Sequence, residues 1–372
     1  MKLSEIRKKV KKNRFIFFTY KKMTDHDYRE SLKEYSSGCH KSKEKIRKEL
    51  QQIKDFWKCD PMHYFRYRLF EKELTYEELI DYVPSYYFYN YHMEGLYGSS
   101  DTLVTESKIW MRQFFLERGI DTPISVATVL KGNITGITGE HLSWEKFQDI
   151  LHASRAEAFF VKPDRGRGGK GIFTIKKIDG QLCDDNNNLL EEWSFLRKVK
   201  QDDFLIQEGI IQRSDLKRIN SYSVNTLRVV TQRSGNDYRI PVVVLRIGRN
   251  KSFVDNSTQG GISVNVDVET GVLARYAYTE HTTERFDRHP DSGFIFEGFA
   301  LRDWEKVTSE IKKYASKTPE YPEIAWDIVM LENGIIAIEI NLQYGIDHLQ
   351  CCTGGMRRKL NINPVMIGNT VY

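Results

Sequence analysis

The sequence predicts an α+β protein with antiparallel sheets, preceded by a helical N-terminal region, and three observations carry that expectation. Up to about Tyr91, apolar residues recur at spacings of three and four, the period of a helix with one buried face. From Ala156 onward the texture changes to short β-branched and aromatic runs set apart by Gly, Asn and Asp. Many of these runs are separated only by turns, which suits antiparallel pairing better than a doubly wound parallel sheet.

In the first region, Ser42–Trp57 carries Ile46, Leu50, Ile53 and Phe56 or Trp57 on one face. Thr75, three residues before Glu78, starts another helix with capping-box chemistry. Pro84 and the aromatic cluster Tyr86–Tyr91 interrupt the pattern, and Ser99–Asp101 is turn chemistry before a helix of about Thr105–Arg118, ended by Gly119. The expected strands are Phe159–Lys162, Gly171–Lys176, Phe204–Gln207, Asn225–Gln232, Arg239–Ile247, Gly261–Val268, Glu323–Leu331 and Ile335–Asn341. Helices are expected at Leu189–Val199 and Trp304–Ser316.

The 372 residues suffice for two or three domains, and 20 Tyr with 20 Phe argue against long disorder. The longest apolar runs, such as Val242–Leu245, fall far short of the roughly 18–20 residues of a membrane helix, and Phe15–Phe18 is too short for a secretory leader. Five cysteines without CxxC spacing argue against a disulfide framework or zinc site and point to a reducing cytoplasm. Met1–Lys58 holds 18 Lys and Arg against 8 Asp and Glu, within a net charge of +5 for the whole chain. That stretch reads as a solvated helical face or as a surface that meets anionic lipid or nucleic acid. No aromatic-interleaved motif suggests nucleic acid.

Two segments carry chemistry. In Phe160–Ile172 a strand ends in Lys162 and a loop containing Gly166, Gly168, Gly169 and Gly171 follows, with Arg165, Arg167 and Lys170 around it. Glycines let backbone N–H groups approach phosphate oxygens, and the cations supply charge. The loop is neither a Walker loop nor a Rossmann turn, since no clear helix follows it; a plain basic hairpin would also contain glycine. In Ala325–Asn341, Asn333-Gly334 marks a hairpin between two apolar runs. Glu339 and Asn341 share one face of the second strand, opposite to Ile338 and Ile340. A two-residue turn at Asn333-Gly334 would set Asp327 against Ile340; a three-residue loop Glu332–Gly334, with Gly334 left-handed, would set it against Glu339. The second register gathers Asp327, Glu339 and Asn341 as hard ligands for Mg²⁺ shared with phosphates. The alternative is an exposed polar face of an edge hairpin.

The order of Lys108, Lys162 before a glycine loop, Gln207-Glu208-Gly209-Ile210, an arginine on a strand and then Asp…Glu-x-Asn resembles the ATP-grasp superfamily. Ser223–Thr231, Leu245–Gly248, Val254–Asn256 with Gly260-Gly261, and His289–Gly293 resemble its sugar-transfer-associated members, over about Phe56 to Asn341. The resemblance implies an ATP-grasp fold, antiparallel sheets and helices clamping ATP, in four segments. These are a basic helical region (1–98), the first part of the ATP-grasp module (99–155), a glycine-loop and adenine-hinge subdomain (156–210) and a catalytic, metal-binding subdomain (211–372). It implies ATP and Mg²⁺ as cofactors. Lys108, Lys162 and the loop glycines would meet the phosphates, Gln207, Glu208 and Ile210 the adenine, and Asp215 the ribose. Arg228 and Arg246 would sit at the reacting centre, Asp327, Glu339 and Asn341 at the metal, and Asn225, Asp255 and Asn256 at the substrate. For Asp255-Asn256 turn chemistry is the other reading. Ala325 stands where D-alanine–D-alanine ligase has an arginine.

The implied activity is carboxylate–amine ligation through an acyl phosphate, on a sugar, uronic acid or amino-acid-bearing precursor of a surface glycan. A small-molecule or glycan acceptor is the expected partner. The alternatives are phosphoryl transfer to a sugar, a phosphohistidine route through His281 or His289, and an adaptor role in which the basic N-terminal helices bind the inner membrane face or a glycosyltransferase.

Overall fold

A computed structural model describes residues 14–37, 41–98, 101–166, 168–252, 255, 260–280 and 284–364. Two antiparallel sheets dominate. The first runs β2-β1-β6-β3-β4-β5, from Ser125–Leu130 (β1), Asn133–Thr135 (β2), Ala158–Pro163 (β3), Phe173–Ile178 (β4), Gln181–Cys183 (β5) and Phe204–Glu208 (β6). Phe147 and Leu151 of the helix Trp144–Ala153, and Phe195 of the helix Glu192–Lys198, pack in one core with Phe159, Val161 and Ile206. Strands of the segments 99–155 and 156–210 thus lie in a single sheet.

The second sheet runs β11-β10-β9-β8-β7-β12-β13. Its strands are Thr226–Ser234 (β7), Asp237–Ile247 (β8), Ile262–Val266 (β9), Leu273–Tyr278 (β10), Arg285–Phe286 (β11), Glu323–Leu331 (β12) and Gly334–Asn341 (β13). Its core includes Leu227, Val243 and Trp326 and continues without a break into Ile46, Ile53, Trp57, Tyr64 and Phe88. The N-terminal helices therefore share a core with this sheet. Some of their charge is used internally: Lys41 donates 2.8 Å bonds to both oxygens of buried Glu49. Among the described residues no helix is long and apolar enough to cross a membrane.

Local expectations are met where the chemistry is local. Ser42 caps Lys43–Trp57, and Thr75 with Glu78 forms a complete capping box. The aromatic cluster does not break the helix; Phe88–His92 is a π-helical turn between Ser85–Tyr87 and Met93–Leu96. The helix expected at Thr105–Arg118 is two, Asp101–Glu106 and Lys108–Glu117, because the Ser107 side chain accepts from Trp110 N and restarts it.

The helix Lys108–Glu117 positions the site. Its first turn meets the glycine loop: Asp164 Oδ1 accepts from Ile109 N at 2.9 Å and from Ser107 Oγ at 2.7 Å. Its middle covers the edge strand β13, where Ile340 N lies 3.3 Å from Met111 Sδ and Phe115 stacks on Trp326 at 6.3 Å. An edge strand so covered cannot template further pairing.

Candidate active site

The β12–β13 hairpin holds the acidic residues. Leu331 pairs with Gly334, so the turn is the two residues Glu332-Asn333 and not the three expected. That turn alone would set Asp327 opposite Ile338. The register shifts between Ile328 and Asp327, leaving Ile338 as a bulge residue, and Asp327 pairs with Glu339. Gly334 does have a positive φ, 144°. Ile338 is partly exposed while Ile340 is buried, so these two do not share a face as the strand period suggests.

Asp327 is buried and surrounded by cations. Arg228, its partner across to β7, donates Nε to Oδ1 at 2.5 Å and Nη2 to Oδ2 at 3.1 Å. Arg246 Nη1, from β8, donates to Oδ2 at 2.9 Å. Burial pushes the Asp327 carboxyl up, but Arg228 and Arg246 outweigh it and hold the group below its ordinary value. Asp255 extends the network: its carboxylate lies 3.7 Å from Arg246 Nη2 and accepts from Thr226 N at 3.1 Å and from Thr226 Oγ1. Asp255 and Asp327 keep Arg246 charged against the effect of burial.

Glu339 moves the other way. Burial, and then the charge of Asp327, raise its carboxyl above the ordinary range. Asn341 Nδ2 donates to Glu339 Oε1 at 3.2 Å, which leaves the amide oxygen as a ligand. Two carboxylates and an amide are a small oxygen set, the kind that Mg²⁺ accepts when phosphates and water complete its shell. A cation fits best at Glu339 and Asn341, since three donors already occupy Asp327.

Lys162 approaches from β3 of the first sheet and Lys108 from the start of the helix Lys108–Glu117. Lys108 Nζ donates to Gly166 O at 2.7 Å, and burial lowers its pKa against the pull of Glu339 and Asp164. Lys162 Nζ donates to Gln207 Oε1 at 2.9 Å; burial first and Lys108 second lower its pKa to about 8. Glu339 acts on both lysines, so the basic and acidic groups lie within electrostatic range of one another. In the loop between them Gly168, Gly169 and Gly171 have φ of 68°, 73° and 75°, conformations that favour glycine. Gly166 does not need positive φ; a Cβ there would meet Lys170 O at 3.4 Å.

The hinge Gln207–Ile210 joins the sheets. Gly209 N donates to Ala158 O at 2.7 Å, and a Cβ at Gly209 would meet that oxygen at 2.9 Å. The Glu208 carboxylate accepts from Ser154 Oγ at 2.6 Å, so it is engaged by the C-terminal cap of the helix Trp144–Ala153. Ile210 is half-buried.

Two expectations need correction. Asp215 gives both oxygens to Arg213, at 2.6 and 2.8 Å, beside the turn end of the hairpin, away from Asp327. Asn225 is fully buried, and its Nδ2 donates to Gln212 Oε1, Leu216 O and Asn220 O. Its Nδ2 locks the loop before β7, while its Oδ1 is buried without a hydrogen-bond partner among the described residues. Asn256, Arg167 and His281 lie outside the described residues. His289 is buried, with Nε2 2.8 Å from Gly248 O and Nδ1 accepting from Asp291 N and Ser292 N, so both ring nitrogens are used in loop packing.

Asp164, which ties the glycine loop to the helix Lys108–Glu117, escapes sequence reading; its only signal is its place beside the loop. The same holds for His348, whose Nε2 lies 2.7 Å from Ser263 Oγ, opposite Arg246 across β8–β9.

Fold and site together define an α+β protein whose two antiparallel sheets bring a basic glycine loop toward a carboxylate–amide set. The chain belongs to the sugar-transfer associated ATP-grasp family, whose model matches residues 90–362. No curated protein matches it. Among solved structures, D-alanine–D-alanine ligase from Helicobacter pylori is 13% identical with a TM-score of 0.37, over 69% of this chain and 60% of that one. The Bacillus anthracis D-alanine–D-alanine ligase gives 12% and 0.38, over 70% and 64%. N5-carboxyaminoimidazole synthetase from Staphylococcus aureus, complexed with ADP, gives 10% and 0.36, over 68% and 52%. The chain thus spans about three fifths of the length of the two D-alanine ligases.

Proposed function

We propose that this protein is an ATP- and Mg²⁺-dependent carboxylate–amine ligase acting on a sugar, uronic acid or amino-acid-bearing precursor of a surface glycan. The observation that carries the reading is the pairing of Asp327 with Glu339, beside Asn341 and within the electrostatic reach of Lys108 and Lys162. The family description supports the link to sugar chemistry.

Each residue has work to do in such a reaction. A substrate carboxylate oxygen attacks the γ-phosphorus and ADP leaves; the amine then attacks the acyl carbon and phosphate leaves. Lys108 and Lys162 bind phosphate oxygens, and the glycine loop excludes water above them. Arg228 and Arg246, held in place by Asp327 and Asp255, face the charge that develops on the transferred group. Glu339 and Asn341, with the remaining lone pair of Asp327, hold Mg²⁺, which supplies charge neutralisation between phosphates. No side-chain nucleophile is required.

The test is calorimetric binding of ATP with Mg²⁺ to the purified protein, followed by screening sugar acids against amines for ADP and free phosphate. Release of both products only when acid and amine are present supports the reading. Absence of Mg-ATP binding, or ADP with the phosphoryl group retained on a sugar, overturns it.

A further inference from the structure

The helix Ile346–Thr353 follows Asn341 and packs over β8, β9 and β10. One side of it is tied to the N-terminal region. Asp347 accepts from the Tyr67 hydroxyl at 2.8 Å and from Ser85 Oγ at 2.5 Å. Gln350 is buried; its Nε2 donates to the Tyr67 hydroxyl and to Val83 O, both at 2.9 Å, and its Oε1 accepts from Val83 N at 2.7 Å. Burial pushes the Asp347 carboxyl up, but Arg66 and the two hydroxyls outweigh it and hold the group below its ordinary value. The helix is thus anchored by a buried charge and a fully used amide. Tyr67, Val83 and Ser85 all precede residue 90, where the family match begins.

The other side of the helix meets the sheet beside Arg246. His348 Nε2 lies 2.7 Å from Ser263 Oγ, and Cys352 Sγ lies 3.5 Å from Ser263 O. Ser263 is buried and is the cross-strand neighbour of Arg246, whose neighbour on β7 is Thr226. Cross-strand partners share a face, so Thr226, Arg246 and Ser263 form one polar row with His348 seated on Ser263. Arg246 depends on such support more than Arg228 does. Arg228 makes two hydrogen bonds to Asp327. Among the described residues the Arg246 guanidinium makes one, at 2.9 Å, and its second carboxylate, Asp255, stands off at 3.7 Å. A guanidinium with one close bond takes its position from whatever else bounds it. His348 suits that place: burial first, then Arg246 and Arg228, lower its pKa to about 3, so it stays neutral beside them.

We infer that the N-terminal region positions the reacting centre: its grip on the helix Ile346–Thr353 seats His348 on Ser263 and so sets the place of Arg246. Tyr67, Ser85 and His348 are positioning residues. The path runs from Tyr67 through Asp347, the adjacent His348 and Ser263 to Arg246 by one cross-strand step, a contiguous physical chain. The role of Arg246 at the transferred phosphoryl group rests on the ligase reading; the coupling itself does not.

The test uses the full chain and two readouts. The first is the Nε–Hε signal of Arg246 in heteronuclear NMR spectra, assigned by its loss in Arg246→Lys. Tyr67→Phe should shift it although every side chain at the centre is kept, and Ser85→Ala serves the same purpose should Tyr67→Phe fold poorly. His348→Ala should shift it too, whereas His348→Gln, which can still bond Ser263, should leave it near the wild-type position. The second readout is calorimetric binding of Mg-ADP with and without aluminium fluoride, a stand-in for the transferred phosphoryl group. Mg-ADP affinity should survive in these variants. The gain from aluminium fluoride should fall about tenfold in Tyr67→Phe and His348→Ala but not in His348→Gln, since small misplacements of a reacting group carry costs of that order. An Arg246 signal unmoved by either Tyr67→Phe or His348→Ala overturns the inference. So does an equal loss of Mg-ADP affinity with and without aluminium fluoride. Failure of the wild type to bind Mg-ADP, or to gain from aluminium fluoride, counts against the ligase reading, and the Arg246 signal then decides this inference alone.

Discussion

Lys162 offers the sharpest test of the nucleotide site. Its ammonium is held 2.9 Å from Gln207 Oε1, and burial with the neighbouring Lys108 brings its pKa to about 8. Phosphate oxygens bind the protonated form, so the dissociation constant of Mg-ATP scales as one plus the ratio of neutral to charged lysine. That ratio is about 0.1 at pH 7 and about 10 at pH 9, so affinity should fall about tenfold over the interval, roughly 1.4 kcal/mol. Binding at pH 8 should take up about half a proton, measurable by calorimetry in buffers of different ionisation enthalpy.

Lys162→Arg keeps its charge throughout this range and should abolish both the slope and the proton uptake. Lys108→Arg in the same titration separates any contribution of Lys108, which burial also lowers. The sign for stability is opposite to that of a salt-bridged lysine. The folded state holds the Lys162 proton less tightly than the unfolded chain, whose value is near 10.5. The charged form thus costs stability below about pH 8, and the cost is relieved as pH rises toward 10.5. A dissociation constant that changes less than about twofold between pH 7 and 9, or a slope undiminished in Lys162→Arg, refutes the reasoning.

Glu339→Gln mimics the protonated group that the folded protein favours, so its thermal midpoint without ligand should match or exceed the wild type. Its protection by Mg-ATP should shrink: ligand at 100 times Kd stabilises by about 2.7 kcal/mol, and a tenfold weaker site by about 1.4. Asp327→Ala strips the carboxylate from Arg228 and Arg246 and should cost about 3–5 kcal/mol in urea denaturation at pH 7. Because the folded Asp327 pKa lies below 3.8, that difference should persist down to about pH 4 and disappear as pH falls further. Asn225→Ala should lower stability by about 1–3 kcal/mol with no change in acceptor KM, since its Nδ2 makes three bonds within the loop.

How much the sequence discloses depends on how far each residue's partners lie. The site hairpin shows the boundary well. For Asp327 to meet Glu339, an odd number of the intervening residues must stay unpaired, and the sequence supports three. The structure has three, split as Glu332-Asn333 in the turn and Ile338 in the bulge. Residue count is legible in a sequence; the position of the extra residue depends on twist and on Met111 and Asp121 against the outer edge of β13. Strands β1, β2, β5, β10 and β11 escape; of these, β2, β5 and β11 are only two or three residues long and gain their order from the neighbours β1, β4 and β10. Asp215 and Asn225 are misread for a related reason. Their types suit ligand binding, but Arg213 and Gln212 engage them first.

The opposite shifts of Asp327 and Glu339 follow from their unequal surroundings and assign them unequal work. A carboxylate offers roughly four lone-pair positions, and three donors from two arginines already use most of those on Asp327. Its negative charge is fixed by the fold whether or not a ligand is bound, so its first task is to hold Arg228 and Arg246 in position. Glu339 meets the Asn341 amide at 3.2 Å and the Asp327 carboxyl across the hairpin, and burial disfavours its charge. A cation arriving there releases the proton and regains the ionised form, so the free energy of metal binding should concentrate at Glu339 and be pH dependent. Loss of activity in an Asp327 variant would then reflect displaced arginines more than a missing ligand. Double variants of Asp327 with Arg228 should be strongly non-additive, whereas Glu339 with Arg228 should come nearer to additive.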